Sequence, residues 1–74
     1  MSETVLDVEG ESEAIRQLAR RVQVEYAEMP GLSITKPQAQ RLLNVDRQTC
    51  ALVLKTLVSC GFLRRTAQGR YIRV

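Results

Sequence analysis

The chain has 74 residues, 45% of them hydrophobic, with eleven Lys/Arg, eight Asp/Glu, two Cys and no His, for a net charge of +3. That length holds one small domain, and no apolar stretch reaches the ~20 residues that a membrane span requires. With no His and two Cys there is neither a four-ligand zinc set nor a Ser–His or Cys–His pair, so an enzyme, a metal and a cofactor are all unexpected.

Residues 1–10 carry Glu3, Asp7 and Glu9 and show no apolar periodicity that holds, which predicts a disordered acidic tail ahead of a domain at 11–74. The start is acidic and leads into no apolar run, unlike a secretory signal, so a cytoplasmic location is expected. The charges are segregated along the chain. Five of the eight acids lie in the first thirteen residues. From Ala14 onward eleven basic residues face only Glu25, Glu28 and Asp46, a net of +8, and from Arg47 onward there is no acid at all. Such asymmetry suits a polyanionic partner, although a solvated basic surface would look the same.

Ser12 is a candidate N-cap, and Ile15, Leu18, Ala19, Val22 and Tyr26 then form one apolar stripe, predicting a helix over 12–28. Met29-Pro30-Gly31 ends it, and Leu32 to Thr35 alternates like a short strand. Thr35-Lys36-Pro37-Gln38 has the form of a capping box with Pro in the first helical turn, and Ile34 and Ala39 are spaced for a hydrophobic staple. The helix that follows, 36–43, should bury Ala39, Leu42 and Leu43 and stop at Asn44, which tolerates left-handed backbone.

Asp46 restarts helix at once as an N-cap, with Val45 and Cys50 spaced for a second staple. The predicted span is 47–60, with Cys50, Val53, Leu54 and Leu57 inward and Gly61 at its end. Ten residues of helix separate Cys50 from Cys60 by about 15 Å, too far for a mutual disulfide. After Gly61 the period becomes two: strands at 62–66 and 70–74 flank Ala67-Gln68-Gly69, a hairpin loop with Gly in its left-handed position. The expected core is Ile15, Leu18, Val22, Ala39, Leu43, Cys50, Leu54, Leu57, Leu63 and Tyr71.

Two capped helices joined by only Asn44-Val45-Asp46 make a helix-turn-helix pattern. With the first helix before it and the hairpin after it, the order over residues 12–74 resembles the winged helix-turn-helix superfamily of bacterial regulators, of the MarR and IclR type. Leu43 to Thr49 and Gly61-Phe62-Leu63-Arg64-Arg65 carry most of the resemblance. It implies a mainly α, α+β fold of three helices and a two- or three-stranded antiparallel wing sheet. It also implies sequence-specific binding of double-stranded DNA, as a small transcriptional regulator or accessory factor.

In that reading Arg47, Gln48, Thr49 and Ala51 of the third helix meet bases, and Lys36, Lys55, Arg64, Arg65, Arg70 and Arg73 meet the backbone. Arg pairs with guanine and Gln with adenine through two hydrogen bonds each, while Thr49 and Ala51 suit a thymine methyl. Ala51 and Leu52 depart from the polar residues that many such helices carry there. They keep an alternative open: a winged-helix module that docks on a protein, or on a second copy, without DNA. RNA is less suited, because Tyr26, Phe62 and Tyr71 all stand at core-like positions and leave no stacking platform.

Overall fold

A computed structural model of the chain describes the backbone of residues 2–74 and the side chains of residues 13–74. Its elements are α1 (Ser2–Glu28), β1 (Ser33–Thr35), α2 (Lys36–Leu43), α3 (Arg47–Ser59), β2 (Leu63–Arg65) and β3 (Arg70–Arg73). Three helices and one three-stranded antiparallel sheet make an α+β fold, in an order compatible with a winged-helix arrangement.

α1 begins ten residues earlier than the apolar stripe indicates. Between Ser2 and Ser12 no proline interrupts helix, and the interior Gly10 disfavours it by only about 1 kcal/mol. The side chains of the acidic segment 1–10 lie outside the described residues, and so does its expected behaviour as a tail.

Both inner helix boundaries follow from local chemistry. At the start of α2 the Thr35 Oγ1 accepts from the Gln38 backbone N–H at 3.4 Å, and Gln38 Oε1 accepts from the Thr35 N–H at 2.8 Å. The pair satisfies two N–H groups that the first helical turn leaves free. Asn44 ends α2 at φ 56°, and the N–H of Val45 reaches back to the Gln40 carbonyl at 3.3 Å. Gly61 does the same after α3, at φ 84°, with the Phe62 N–H bonded to the Leu57 carbonyl at 3.0 Å. Left-handed backbone costs a side-chain-bearing residue about 1–2 kcal/mol, and Gly escapes that cost.

The sheet order is β1-β3-β2, so the hairpin of β2 and β3 is widened by β1 from the other side of the helix pair. Ser33, Ile34 and Thr35 pair with Ile72, Tyr71 and Arg70, while Leu63, Arg64 and Arg65 pair with Arg73, Ile72 and Tyr71. At the tip Thr66 N–H bonds the Arg70 carbonyl and Gly69 N–H bonds the Thr66 carbonyl, which closes the three-residue loop with Gly69 at φ 80°.

The core is formed by Ala19, Val22, Tyr26, Ile34, Ala39, Leu43, Cys50, Val53, Leu54, Leu57, Leu63 and Tyr71. Two residues expected there, Ile15 and Leu18, are only half-buried at its edge. Ile15 borders an open groove between α1 and α3. Tyr26 takes the more central place. It is fully buried, its hydroxyl donates to the backbone carbonyl of Tyr71, and its ring meets Phe62 edge-on at 6.2 Å. One side chain thus joins the first helix to the central strand.

Both cysteines are free. Cys50 is buried, and its thiol donates to the Lys36 carbonyl at 3.6 Å, so it sits where α3 crosses the first turn of α2. Burial pushes its pKa above the ordinary 9.0. Cys60 is exposed, with its thiol turned to the Leu57 carbonyl.

Candidate nucleic-acid interface

The inner face of α3 is set by Cys50, Val53, Leu54 and Leu57, all buried. At 3.6 residues per turn, the opposite face carries Gln48, Leu52 and Lys55, each exposed. Arg47 and Ala51 stand on one flank of that face, Arg47 exposed and Ala51 half-buried. Thr49 stands on the other flank, half-buried, where it lines the groove against α1 together with Leu52 and Thr56. The four base-reading candidates therefore do not share one surface. Arg47 and Gln48 project from the first turn with Ala51 beside them, and Thr49 turns away toward α1. Lys55 lies about 10 Å further along the helix than Gln48.

Asp46 occupies the N-cap position with extended backbone, φ −74° and ψ 167°, and its side chain makes no capping hydrogen bond. The nearby Thr49 hydroxyl, followed by the N–H groups at the start of α3, nevertheless holds its carboxyl below the usual 3.8. This carboxylate offsets the positive end of the α3 dipole. Any anion approaching α3 is therefore met by the Arg47 side chain rather than by the helix terminus itself.

The register of the sheet sorts the wing arginines. Residues paired across strands point to the same face. Arg65 pairs with Tyr71, and Arg73 with Leu63, so these two share the inward face with the core. Arg64 pairs with Ile72, and Arg70 with Thr35, on the outward face. Two of the four are also engaged within the protein. Arg70 donates from Nη1 to the Ser33 carbonyl at 3.2 Å, and the Arg73 guanidinium lies 5.0 Å over the Phe62 ring, a cation–π contact.

Arg65 reaches a shallow cleft of about 390 Å³ between the wing and the start of α2, lined also by Lys36, Pro37, Gln68 and Tyr71. Lys36 and Arg65 thereby border one depression although 29 positions separate them in the sequence, from 36 to 65. Gln68, exposed in the hairpin loop, borders the same cleft and was not among the sequence-derived candidates. Its place in the middle of a three-residue hairpin loop is the signal that marks it.

Lys36, Arg47, Lys55, Arg64, Arg65, Arg70 and Arg73 are all exposed. Among the described residues the one ion pair is Arg16 with Glu13, at 3.6 Å, which leaves the cations of α2, α3 and the wing without acidic partners. Also among the described residues, no helix is long and apolar enough to cross a membrane, and no group of three or more His, Cys, Asp or Glu gathers to hold a metal ion. No family model, no curated protein and no solved structure matches this chain.

Proposed function

We propose that this chain binds double-stranded DNA in a sequence-dependent way, as a small regulator or accessory factor. Arg47 and Gln48 enter the major groove with Ala51 beside them, and Lys36, Lys55 and the wing arginines lie along the phosphates. The observation that carries this reading is the set of exposed cations on α2, α3 and the wing together, which have no ion-pair partner among the described residues. A polyanion supplies the missing counter-charge, and α3 offers two residues able to pair with base edges from its first turn. Arg64 and Arg65, which bear no contact comparable to those of Arg70 and Arg73, are the freer phosphate ligands of the wing.

Titration of labelled duplex at two salt concentrations tests the reading. If Lys36, Lys55, Arg64 and Arg65 each neutralise one phosphate, log K falls with log[salt] with a slope of about −3.6, at roughly 0.9 per contact. That slope lowers affinity about 150-fold between 50 and 200 mM salt. Lys55→Ala should flatten the slope by about 0.9 on every sequence, whereas Arg47→Ala or Gln48→Ala should relax sequence preference by about 1–3 kcal/mol per lost base contact. A chain that binds no duplex at low ionic strength, yet captures a protein through Leu52, would replace this reading with the protein-docking one.

A further inference from the structure

α3 leaves two large apolar side chains in water, Leu52 at 48% exposure and Val58 at 39%. Val58 stands on the Arg47 flank, close to the end of the helix at Ser59. Leu52 lies on the outer face, within about 60° of both Gln48 and Lys55 around the axis. Along the axis it comes about 6 Å after Gln48 and about 4.5 Å before Lys55. A leucine therefore occupies the middle of the face whose ends suit a base edge and a phosphate. Charge fits the same face to a polyanion, since Arg47 and Lys55 are exposed and have no ion-pair partner among the described residues.

Most of what a major groove presents is polar: N7 and O6 of guanine, N7 and N6 of adenine, N4 of cytosine. An isobutyl group laid over those atoms displaces their water and returns no hydrogen bond, which is costly. The C5-methyl of thymine is the apolar exception, and a cytosine methylated at C5 carries the same group at the same place. The two shorter side chains suited to a methyl do not compete for that position. Thr49 turns toward α1 and lines the groove there, while Ala51 is half-buried on the Arg47 flank. Leu52 extends further from the helix than either.

We propose that, with this face in the major groove as the DNA reading has it, Leu52 packs on the C5-methyl of a pyrimidine beside the base that Gln48 meets. The methyl belongs to thymine or to 5-methylcytosine. Leu52 is then a specificity-determining residue for DNA and not the anchor of a protein contact.

Four duplexes of mixed order test this by fluorescence anisotropy at low ionic strength. One contains only A·T pairs, and its twin carries uracil for every thymine. Another contains only G·C pairs, and its twin carries 5-methylcytosine for every cytosine. Each base pair of a methylated duplex presents one methyl in the major groove, so no particular target sequence is required. The wild type should prefer the methylated twin about fourfold, the worth of one buried methyl group. Leu52→Ala should still bind but reduce that preference below about twofold, and Leu52→Met should retain it, with circular dichroism verifying that both are folded. Effects of uracil or of methylation on duplex shape cancel in the ratio between wild type and variant. A preference in the A·T pair alone assigns thymine, one in the G·C pair alone 5-methylcytosine, and one in both the methyl itself. A wild type that binds all four without distinguishing the twins, or a preference that survives in Leu52→Ala, would overturn this assignment and leave the DNA reading intact. A wild type that binds none of the four would overturn both.

Discussion

Replacing Tyr26 by Phe removes one oxygen from the centre of the domain and little else. The ring stays in the core and keeps its edge-on contact with Phe62, so the loss reports the hydrogen bond to the Tyr71 carbonyl. A typical intramolecular hydrogen bond stabilises by about 0.5–1.5 kcal/mol net, rising toward 3 if the partner is left buried and unpaired. A domain of this size has about 4–11 kcal/mol in total, and 1 kcal/mol moves its melting temperature by about 4–8 °C. At 0.5–1.5 kcal/mol, Tyr26→Phe should therefore melt roughly 2–12 °C below the wild type in a thermal scan followed by far-UV circular dichroism. Tyr71→Phe is the control: Tyr71 lines the open cleft between the wing and α2, its hydroxyl is not a buried unpaired group, and its loss should cost less than about 0.5 kcal/mol.

The burial of the same side chain has a pH signature. Burial raises the Tyr26 pKa above its ordinary 10.0. A raised folded-state value contributes stability that is complete below about pH 10 and is lost as pH climbs through the folded value. The wild type should therefore lose stability on the alkaline side more steeply than Tyr26→Phe does. Equal melting temperatures for Tyr26→Phe and Tyr71→Phe would refute the assignment of Tyr26 as the link between α1 and β3.

Leu54→Ala, at a fully buried position where α3 meets the core, should cost about 2–5 kcal/mol in urea unfolding, enough to unfold a large fraction of so small a domain. Asp46→Asn should narrow the acid-side difference: the lowered Asp46 pKa contributes stability above about pH 3.8 that disappears as pH falls through the folded value, so wild type and variant should converge in acid. Denaturation curves at pH 7 and pH 3 measure that convergence directly.

Features set by neighbours in the chain were readable before the fold was known. The capping box at Thr35 and Gln38, the left-handed Asn44 and Gly61, and the hairpin loop closed by Gly69 each depend on a few consecutive residues. What the sequence left open depends on contacts between distant elements. Period alone could not show that Ile15 lies at a groove's rim while Tyr26 is sealed, because that depends on where α3 crosses α1. By contrast, alternation counted from Leu63 and Tyr71, both expected in the core, already puts Arg65 and Arg73 on the inward face and Arg64 and Arg70 on the outward one, as the register has them. The direction of Thr49 was likewise hidden, since α3 packs on one flank against α1 and the helix wheel does not say which flank. The run without acids after Arg47 was visible at once, but the engagement of Arg70 with Ser33 and of Arg73 with Phe62 was not.

The position of β3 in the sheet has a consequence for assembly. The strand that occupies the middle is the last of the three in chain order, and its two neighbours do not touch each other. Ser33 must therefore wait for Ile72, on the order of forty residues later, before β1 has any partner, whereas β2 needs only the turn of the hairpin. The helices can begin to form while the chain is still incomplete, but the sheet has no partial version that includes β1. Loss of Arg70 to Arg73 would remove the centre of the sheet and not an edge, strand both remaining strands, and take away the carbonyl that Tyr26 holds.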